Sequence, residues 1–331
     1  MAKSSKKNGK FTSKHLRQVE KIRDKPEKSS RTRPDMSGPD DITNLLSNLK
    51  TTTNNKTSNG LTVDDTSTVS IQELKKIINL TKKSKKKVHF DTAEAYNLPE
   101  KILKKYFSNS NVKIIFKITI KKGENLNYEK FKDKVIKSIL PFGIKKLYCL
   151  MIHNIGILKS KNQIKLVSAN LEKLKKEKYI FKKGIAIYEP QSLKNLYNSF
   201  DPDIIQLPLN IFDQRFINSI WFKKFKMEKK EVHLRSIFLQ GLLLEKKIPK
   251  KFLNFKLEFK AWLNWLNKNN LTNFEGCLNF ILSQKIKAKI VVGIDNYDHF
   301  KQLLNFKINK NLKYKYLSSN KLKLIDPRKW S

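Results

Sequence analysis

The sequence has little glycine and cysteine, and each shortage excludes a class of protein. None of the ten glycines lies two positions from another, so the G-x-G turn of a Rossmann fold is missing, and no P-loop pattern is present either. Cys149 and Cys277 are too far apart in sequence to indicate a disulfide framework or a metal site. They are typical of buried thiols in a reducing compartment, so we expect a cytoplasmic protein without a bound metal.

Arginine is also scarce, although the chain is strongly basic. Lys and Arg number 70 against 29 Asp and Glu, which gives a formal net charge of +41. Such a balance is common in proteins that bind nucleic acids. Only seven of the basic residues are arginine, however, and arginine is the residue that suits phosphate geometry best. A solvated lysine surface therefore explains most of the charge more simply.

No apolar run is long enough for a membrane-spanning helix. The lysines at positions 3, 6, 7 and 10 are not followed by an apolar stretch, so we expect no signal peptide and no membrane association. Hydrophobic residues make up 39% of the chain, which is enough for a core. The length allows one large α/β domain of about 250 residues and an additional tail.

Residues 1–69 differ in composition from the rest of the chain. They are rich in Lys, Ser, Thr, Asn and Asp, and they show no sustained periodicity. Such a segment buries too little apolar surface to offset the entropy of ordering, so we expect a disordered basic tail. Residues 1–34 hold twelve Lys or Arg and three acidic residues. They are an arm for weak nucleic-acid contact or a solvating tail, and the sequence leaves both alternatives open.

From residue 70 onward, short apolar runs alternate with stretches of helical spacing. This alternation predicts successive parallel strands joined by helices. We expect strands near 87–91, 112–117, 147–153, 180–187, 203–209, 232–240 and 288–293. We expect helices from residue 71 and near 99–107, 127–139, 165–177, 191–199, 213–226, 258–283 and 297–305.

Seven strands are one fewer than the eight of a closed (β/α)8 barrel. The missing first strand would precede residue 71, where the segment from Thr51 to Val69 is mostly polar. Unless another segment covers them, the strands near 87–91 and 288–293 would have open edges.

Three of the apolar runs end on polar residues that together resemble a reaction centre. The first run leads to Asp91 with Tyr96 five residues on, the second ends at Lys117, and the third ends at His153. The carboxyl ends of parallel strands meet at one rim of a sheet, so we expect these side chains to converge. A tyrosine beside a lysine that is paired with an aspartate is a phenol near a fixed positive charge, which equips it as a general acid.

These segments resemble those of the aldo-keto reductases, in that family's order. The similar segments are 90–96 with Glu100, Ile115-Phe116-Lys117, Met151-Ile152-His153-Asn154, 183–188, 203–210 and Val291-Val292-Gly293. The resemblance extends over residues 70–331. It implies an α/β (β/α)8 barrel of the TIM type over these residues, with its first strand degenerate or missing. It implies that Tyr96 donates a proton to the substrate oxygen and that Lys117 lowers the pKa of Tyr96. It further implies that Asp91 holds Lys117 and that His153 orients the carbonyl.

The resemblance also implies a nicotinamide cofactor, NADPH by the family's usual preference, with NADH possible. The cofactor-binding candidates are Asn154, Gln206, Arg235, Gly293, Asp295 and Asn296. Two positions depart from the family pattern: Ala186-Ile187 stands where a Ser-Asn pair is common, and Arg235 stands where many members have a tyrosine. Gln206 is alternatively a polar cap at a strand end. Asp295 or Asn296 is alternatively the N-cap of the last long helix.

The function expected from these residues is NAD(P)H-dependent reduction of a small aldehyde or ketone to an alcohol. One alternative is a catalytically impaired barrel that acts as a binding or scaffold protein, which the degenerate first strand and Ala186-Ile187 favour. Another is nucleic-acid association through residues 1–34. The loops that would shape a substrate pocket have no recognisable pattern, so the sequence does not identify the carbonyl compound.

Overall fold

The fold was analysed in a computed structural model of the chain. The structure describes residues 19–22, 41–45, 71–83, 87–94, 104, 107, 112–153, 155–284, 287–294, 296–308 and 312–330. The predicted site residues Tyr96, Asn154 and Asp295 lie outside these ranges, as does most of the 1–69 segment. The division of the chain into two parts at residues 69 and 70 stays a prediction.

The described residues contain nine strands and nine α-helices. The strands are β1 (Val19–Ile22), β2 (Asp41–Leu45), β3 (Lys87–Ala93), β4 (Lys113–Ile118), β5 (Leu147–Ile152), β6 (Ile180–Ala186), β7 (Ile204–Pro208), β8 (Glu231–Arg235) and β9 (Ala288–Gly293). The helices are α1 (Ile71–Lys83), α2 (Tyr128–Ile139), α3 (Lys161–Lys176), α4 (Leu193–Phe200), α5 (Trp221–Met227), α6 (Lys256–Lys268), α7 (Asn273–Leu282), α8 (Tyr297–Asn305) and α9 (Leu322–Ile325).

Seven parallel strands, β3 to β9, follow one another in chain order around a curled wall. Each is an apolar run, and β7, for example, is buried along its whole length. Helices follow most of these strands, as expected for parallel crossovers. The prediction of a (β/α)8-type barrel with seven recognisable strands is confirmed, and the strand boundaries agree with it except in β8.

Two short segments of the N-terminal region occupy the place of the eighth strand. β2 pairs in parallel with β9 from Asp41 to Leu45, and β1 pairs antiparallel with both β2 and β3. The backbone pairing closes the barrel. The first strand is therefore degenerate, as predicted, but the edges of β3 and β9 are paired. The expectation that residues 1–69 lack any regular structure is wrong for these two segments, and the segment 51–69 lies outside the described residues.

Apolar side chains fill both sides of the strands. Toward the helices, residues such as Phe90, Phe116 and Leu150 join one continuous core. On the other face a smaller cluster contains Ile115, Cys149, Met151, Ala186 and Ile204. Gly184 lies beside this cluster, where an added Cβ would come within 2.9 Å of the Cys149 sulfur. The interior at this level is close-packed, so polar groups are confined to the layers above and below it.

Three elements differ from the sequence-based expectation. The stretch 258–283 is two helices, because Asn270 has a left-handed φ of 51° and Thr272 begins a new helix with a capping box to Glu275. The helix expected at 213–226 begins only at Trp221. Before it, the Asn210 side chain accepts hydrogen bonds from the backbone N–H of Phe212 and Asp213, which stabilises a turn.

The third difference is in β8, which was predicted to extend over residues 232–240. This strand ends at Arg235 rather than near residue 240. Ser236, Leu239 and Gln240 all have left-handed φ values, between 48° and 59°, which no strand tolerates. Of the helix expected near 99–107, the structure describes only Lys104 and Phe107, and both are helical.

Candidate active site

Asp91, Lys117 and Gln206 meet inside the barrel near the carboxyl ends of their strands. Asp91 is opposite Ile115 in the β3–β4 register, and Lys117 lies two residues beyond Ile115. Side chains two residues apart point to the same face of a strand, so all three lie on the interior face. Lys117 extends from one layer above and reaches Asp91. The three polar side chains are 0%, 2% and 1% exposed for Asp91, Lys117 and Gln206.

Hydrogen bonds join these three groups in a closed triangle. Lys117 Nζ donates to Asp91 Oδ1 and, at 3.2 Å, to Gln206 Oε1. Gln206 Nε2 donates to the other carboxylate oxygen, Asp91 Oδ2, at 2.7 Å. Both oxygens of the carboxylate are thus satisfied. A buried ion pair of this kind is held only where its geometry is good and the remaining polar atoms are bonded, and here they are.

The Asp91 carboxyl group has an altered acidity. Burial raises the pKa of Asp91 from its ordinary 3.8 to about 6, although Lys117, Gln206 and His233 act in the opposite direction. The desolvation cost of the buried carboxylate therefore exceeds the stabilisation by its partners. Altered pKa values of this kind, in a polar group with a specific partner, are concentrated at functional sites.

His153 follows the end of β5 on the strand next to Lys117. In the β4–β5 register Lys117 is opposite Met151, and Ile118 is opposite Ile152. The His153 backbone N–H donates to the Ile118 carbonyl at 2.8 Å, which continues the ladder by one residue. His153 is half-buried. The structure therefore brings Asp91, Lys117 and His153 to neighbouring strand ends, whereas Tyr96 lies outside the described residues.

Arg235 lies at the rim of the barrel at the end of β8. Its guanidinium carbon is 4.1 Å from the centre of the Tyr188 ring, and its Nη2 donates to the Ile187 carbonyl at 3.0 Å. Arg328 contacts the same ring at 3.8 Å. A guanidinium held in place by stacking presents a rigid, planar and positively charged surface at the rim. Ala186 and Ile187 are buried here and offer only backbone groups.

The N-terminus of α8 was the predicted position for a phosphate group. Gly293 ends β9, and Asn296 is the N-cap of α8, its side chain accepting from the His299 backbone N–H at 2.9 Å. The N-cap alternative for Asn296 is thus confirmed. The N–H of Tyr297 donates to Glu73 Oε2 at 2.8 Å. Two donors of the first turn are therefore used within the chain, one of them by a carboxylate.

The residues at this rim suit the nicotinamide end of a dinucleotide cofactor better than its phosphate end. Near the carboxyl ends of the strands, His153 follows β5 and Arg235 ends β8 as a planar cation stacked on Tyr188. Gln206, however, already bonds both members of the pair. At the α8 end, Glu73 places a negative charge where a helix N-terminus would otherwise attract an anion. The ring end of the site suits the cofactor better than the phosphate end does.

The sequence interpretation missed a second polar group inside the barrel. Glu231 accepts hydrogen bonds from His233 and Tyr148, both at 2.8 Å, and is ion-paired with Lys182 and Lys289. A signal was present in the β8 sequence Glu-Val-His-Leu-Arg, where polar and apolar residues alternate strictly. A parallel barrel strand is expected to be apolar on both faces, so this alternation indicates polar residues that point into the interior.

No cluster of three or more His, Cys, Asp or Glu within the described ranges could hold a metal ion. None of the helices in those ranges is both long and apolar enough to cross a membrane.

Comparison with known proteins shows the family and the fold. The model of the aldo/keto reductase family matches residues 62–316. An aldo-keto reductase of Bacillus halodurans is 19% identical, with a TM-score of 0.60, over 73% of this chain and 84% of that one. A glycerol dehydrogenase of Gluconobacter oxydans is 15% identical, with a TM-score of 0.54, over 78% of this chain and 86% of that one. No curated protein is similar enough to match.

Proposed function

Since this chain belongs to the aldo/keto reductase family, we propose that it reduces the carbonyl group of a small aldehyde or ketone to an alcohol with NADPH or NADH. The observation that carries the proposal is the buried Asp91–Lys117 pair, which Gln206 joins at both ends. A lysine in the barrel interior is costly to bury. A fixed cation near the barrel mouth can stabilise a developing phenolate, which gives the buried lysine a chemical use.

We assign the proton-transfer roles from the resemblance to the family. Tyr96 donates its phenolic proton to the carbonyl oxygen, and the Lys117 ammonium stabilises the phenolate that remains. Asp91 keeps Lys117 charged and in place, which the observed ion pair supports. His153 orients the carbonyl by a hydrogen bond, and its position after β5, next to β4, supports this role.

The cofactor supplies a hydride to the carbonyl carbon when it is bound, and the chain positions the two reactants. We propose that Arg235, stacked on Tyr188, borders the nicotinamide ring. Asn154 and Gln206 are the candidates for the carboxamide group, and Gln206 would exchange one of its present hydrogen bonds to reach it. Gly293, Asp295 and Asn296 are the candidates near the phosphates.

A second candidate function is binding without catalysis, and a specific observation favours it. Glu73 accepts from the α8 backbone at the predicted phosphate position, and Ala186 offers no side-chain hydrogen bond. Both features weaken dinucleotide binding, so a barrel with an intact ion pair and little cofactor affinity would act as a binding or scaffold protein. Nucleic-acid association through residues 1–34 has only the composition of that segment in its favour.

Cofactor titration separates these functions. The fluorescence of NADPH and then of NADH is followed as the purified chain is added, with Arg235→Ala as the matched variant. A reductase gives saturable binding that Arg235→Ala weakens. Absence of binding up to millimolar concentrations, with a normally folded chain, would favour the non-catalytic role. Retention on DNA that falls steeply with salt would indicate the nucleic-acid role.

A further inference from the structure

Three of the seven arginines in the chain contact one residue, Tyr188. Tyr188 follows the end of β6 by two positions and therefore lies at the rim of the barrel. Arg235 ends β8, and Arg328 lies in the C-terminal turn Pro327–Lys329. Arginine is scarce in this chain, so its concentration at one residue of the rim is not explained by a general lysine-rich surface.

The guanidinium groups of Arg235 and Arg328 lie on opposite faces of the Tyr188 ring. The guanidinium carbon of Arg235 is 4.1 Å from the ring centre, and that of Arg328 is 3.8 Å from it. At these distances each group is in van der Waals contact with the ring, and two such groups on one face would overlap. The ring is therefore enclosed between two cations, each of which is attracted by the negative charge of an aromatic face.

A buried carboxylate fixes the guanidinium group of Arg328. Asp326 is 3% exposed. Its Oδ1 accepts from Arg328 Nε at 2.9 Å, and its Oδ2 accepts from Arg328 Nη2 at 2.6 Å. This pairing at two points sets the plane of the guanidinium group, which a lysine at the same position could not reproduce. Arg328 therefore presents a fixed flat surface to the ring, although its side chain is half-exposed.

The other two members of the stack are held from the barrel. The Tyr188 carbonyl accepts from Arg215 Nη2 at 3.1 Å. Arg215 in turn pairs at two points with the fully buried Asp213. Arg235 Nη2 donates to the Ile187 carbonyl at 3.0 Å. These bonds fix the backbone of Tyr188 and one edge of Arg235, whereas the Tyr188 ring lies between its two stacking partners.

Contacts other than those of Arg328 hold the C-terminal segment at the barrel mouth. The Ser319 backbone N–H donates to the Phe212 carbonyl, after β7, at 2.8 Å. The Trp330 ring packs edge-on against the Phe252 ring, with 4.8 Å between the ring centres. Replacement of Arg328 is therefore expected to leave the segment docked, so the effect of the stack can be measured by itself.

We propose that Arg328 is a positioning residue, which covers the face of the Tyr188 ring opposite Arg235 and thereby holds Arg235 in place beside the nicotinamide ring. The inference deepens the proposed reductase function and rests on the place given there to Arg235. Without Arg328 the ring has water on one face and is free to change its side-chain rotamer. Arg235 then loses the surface on which it stacks. The border of the nicotinamide site is thus built from β6, β8 and the C-terminal turn.

The test uses the small number of arginines. With ¹⁵N-labelled arginine the full chain gives seven side-chain Nε signals in an NMR spectrum, and Arg235→Lys identifies the signal of Arg235. A proton above an aromatic ring is shifted upfield, so the Hε proton of Arg235 reports its contact with Tyr188. Tyr188→Leu gives the position of this signal when the contact is lost completely. We expect Arg328→Ala to move the signal most of the way to that position.

Lys329→Ala is the matched control. Lys329 lies in the same turn and is exposed, so this variant loses the same positive charge and keeps the stack. Its Arg235 signal is expected to stay at the wild-type position. An Arg235 proton that keeps its upfield shift in Arg328→Ala would overturn the inference, as would an equal movement in Lys329→Ala. If Arg328→Ala does not fold, Arg328→Lys replaces it, because lysine keeps the charge beside Asp326 and lacks the planar group.

Cofactor affinity supplies the second measurement. Arg328→Ala is expected to weaken NADPH binding by about three- to ten-fold, the size of one lost cation–π contact, while Lys329→Ala keeps a Kd near that of the wild type. An unchanged Kd in Arg328→Ala would overturn the inference. The arginine spectrum is recorded without cofactor. A chain that binds neither nucleotide and still shows the expected movement of the Arg235 signal would contradict the proposed function and leave the support of Arg235 by Arg328 standing.

Discussion

Glu73 and Tyr297 lie 224 positions apart in the chain, and the Glu73 carboxylate accepts a hydrogen bond from the Tyr297 backbone N–H at 2.8 Å. The first long helix thereby caps the N-terminus of α8. Lys76 pairs with the same carboxylate and, with the hydrogen bond from Tyr297, lowers the pKa of Glu73, so the group is an anion at neutral pH. A phosphate group at this helix end would meet a negative charge of the protein.

Glu73→Gln is therefore expected to strengthen the binding of NADPH. The amide oxygen can still accept from Tyr297, while the repulsion of a phosphate is removed. We expect a two- to five-fold lower Kd, about the size of one charge at a helix N-terminus, and a smaller gain at high salt. Fluorescence titration measures it, with Lys76→Gln as the control that keeps the carboxylate. An unchanged Kd in Glu73→Gln would place the phosphates elsewhere.

The buried ion pair predicts strong coupling between two substitutions. Lys117→Met removes the cation that favours the ionised form of Asp91, so Asp91 either stays a buried, unpaired carboxylate or takes up a proton. The free energy of unfolding is expected to fall by up to about 3–5 kcal/mol at neutral pH. Asp91→Asn together with Lys117→Met removes both charges and is expected to recover most of that loss. Urea unfolding of the single and double variants measures the coupling. Additive losses would show that the two side chains do not act as a pair.

The raised pKa of Asp91 predicts opposite effects of pH on stability and on activity. The group titrates near pH 6 in the fold against 3.8 for its ordinary value, so folding favours its protonated form. Its contribution to stability is fully present below the ordinary value and is lost as the pH rises through about 6. Unfolding measured from pH 4 to 7.5 should show this loss in the wild type and not in Asp91→Asn.

The proposed reductase activity requires the ionised form of the same group. Protonated Asp91 no longer holds the Lys117 charge, so kcat/KM should fall about tenfold per pH unit below the Asp91 midpoint. The pH profile of carbonyl reduction measures this inflection. A profile that stays flat down to pH 5 would mean that the ion pair is not required in its charged form.

Closure of the barrel by β1 and β2 predicts a pattern of hydrogen exchange. Backbone amides of β3 and β9 that face these strands should be protected in the full chain, because both edges are paired. Removal of residues 1–45 should expose them, while amides of β5 and β6 keep their protection and serve as the internal control. Equal protection with and without residues 1–45 would show that other residues cover the edges.

Much of the fold could be predicted from the sequence, because buried parallel strands are continuous apolar runs. The runs that end at Lys117 and His153 correctly marked β4 and β5, and the polar residue at each end marked the rim. Helix boundaries were harder. The capping box from Thr272 to Glu275 was visible as T-x-x-E, yet the apolar residues on both sides of it favoured one long helix.

The interior charges could not be predicted in the same way. Glu231, Lys182 and Lys289 come from three strands, and their contact depends on the register between neighbouring strands, which sequence spacing does not determine. Local pattern likewise gave no sign that Glu73 would cap a helix at the other end of the chain. Residues 19–22 and 41–45 were missed as strands because their pairing with β3 and β9 is long-range.

Replacement of Tyr96, the proposed proton donor, tests the central claim most directly. Wild type and Tyr96→Phe are compared for NADPH oxidation with a panel of small aldehydes and ketones, and for NADPH affinity by fluorescence. The account predicts nearly equal affinity and a loss of turnover of about 100-fold or more, the usual scale for a general acid. Turnover by Tyr96→Phe at the wild-type rate, or a wild type that binds NADPH and reduces none of the carbonyl compounds, would contradict it.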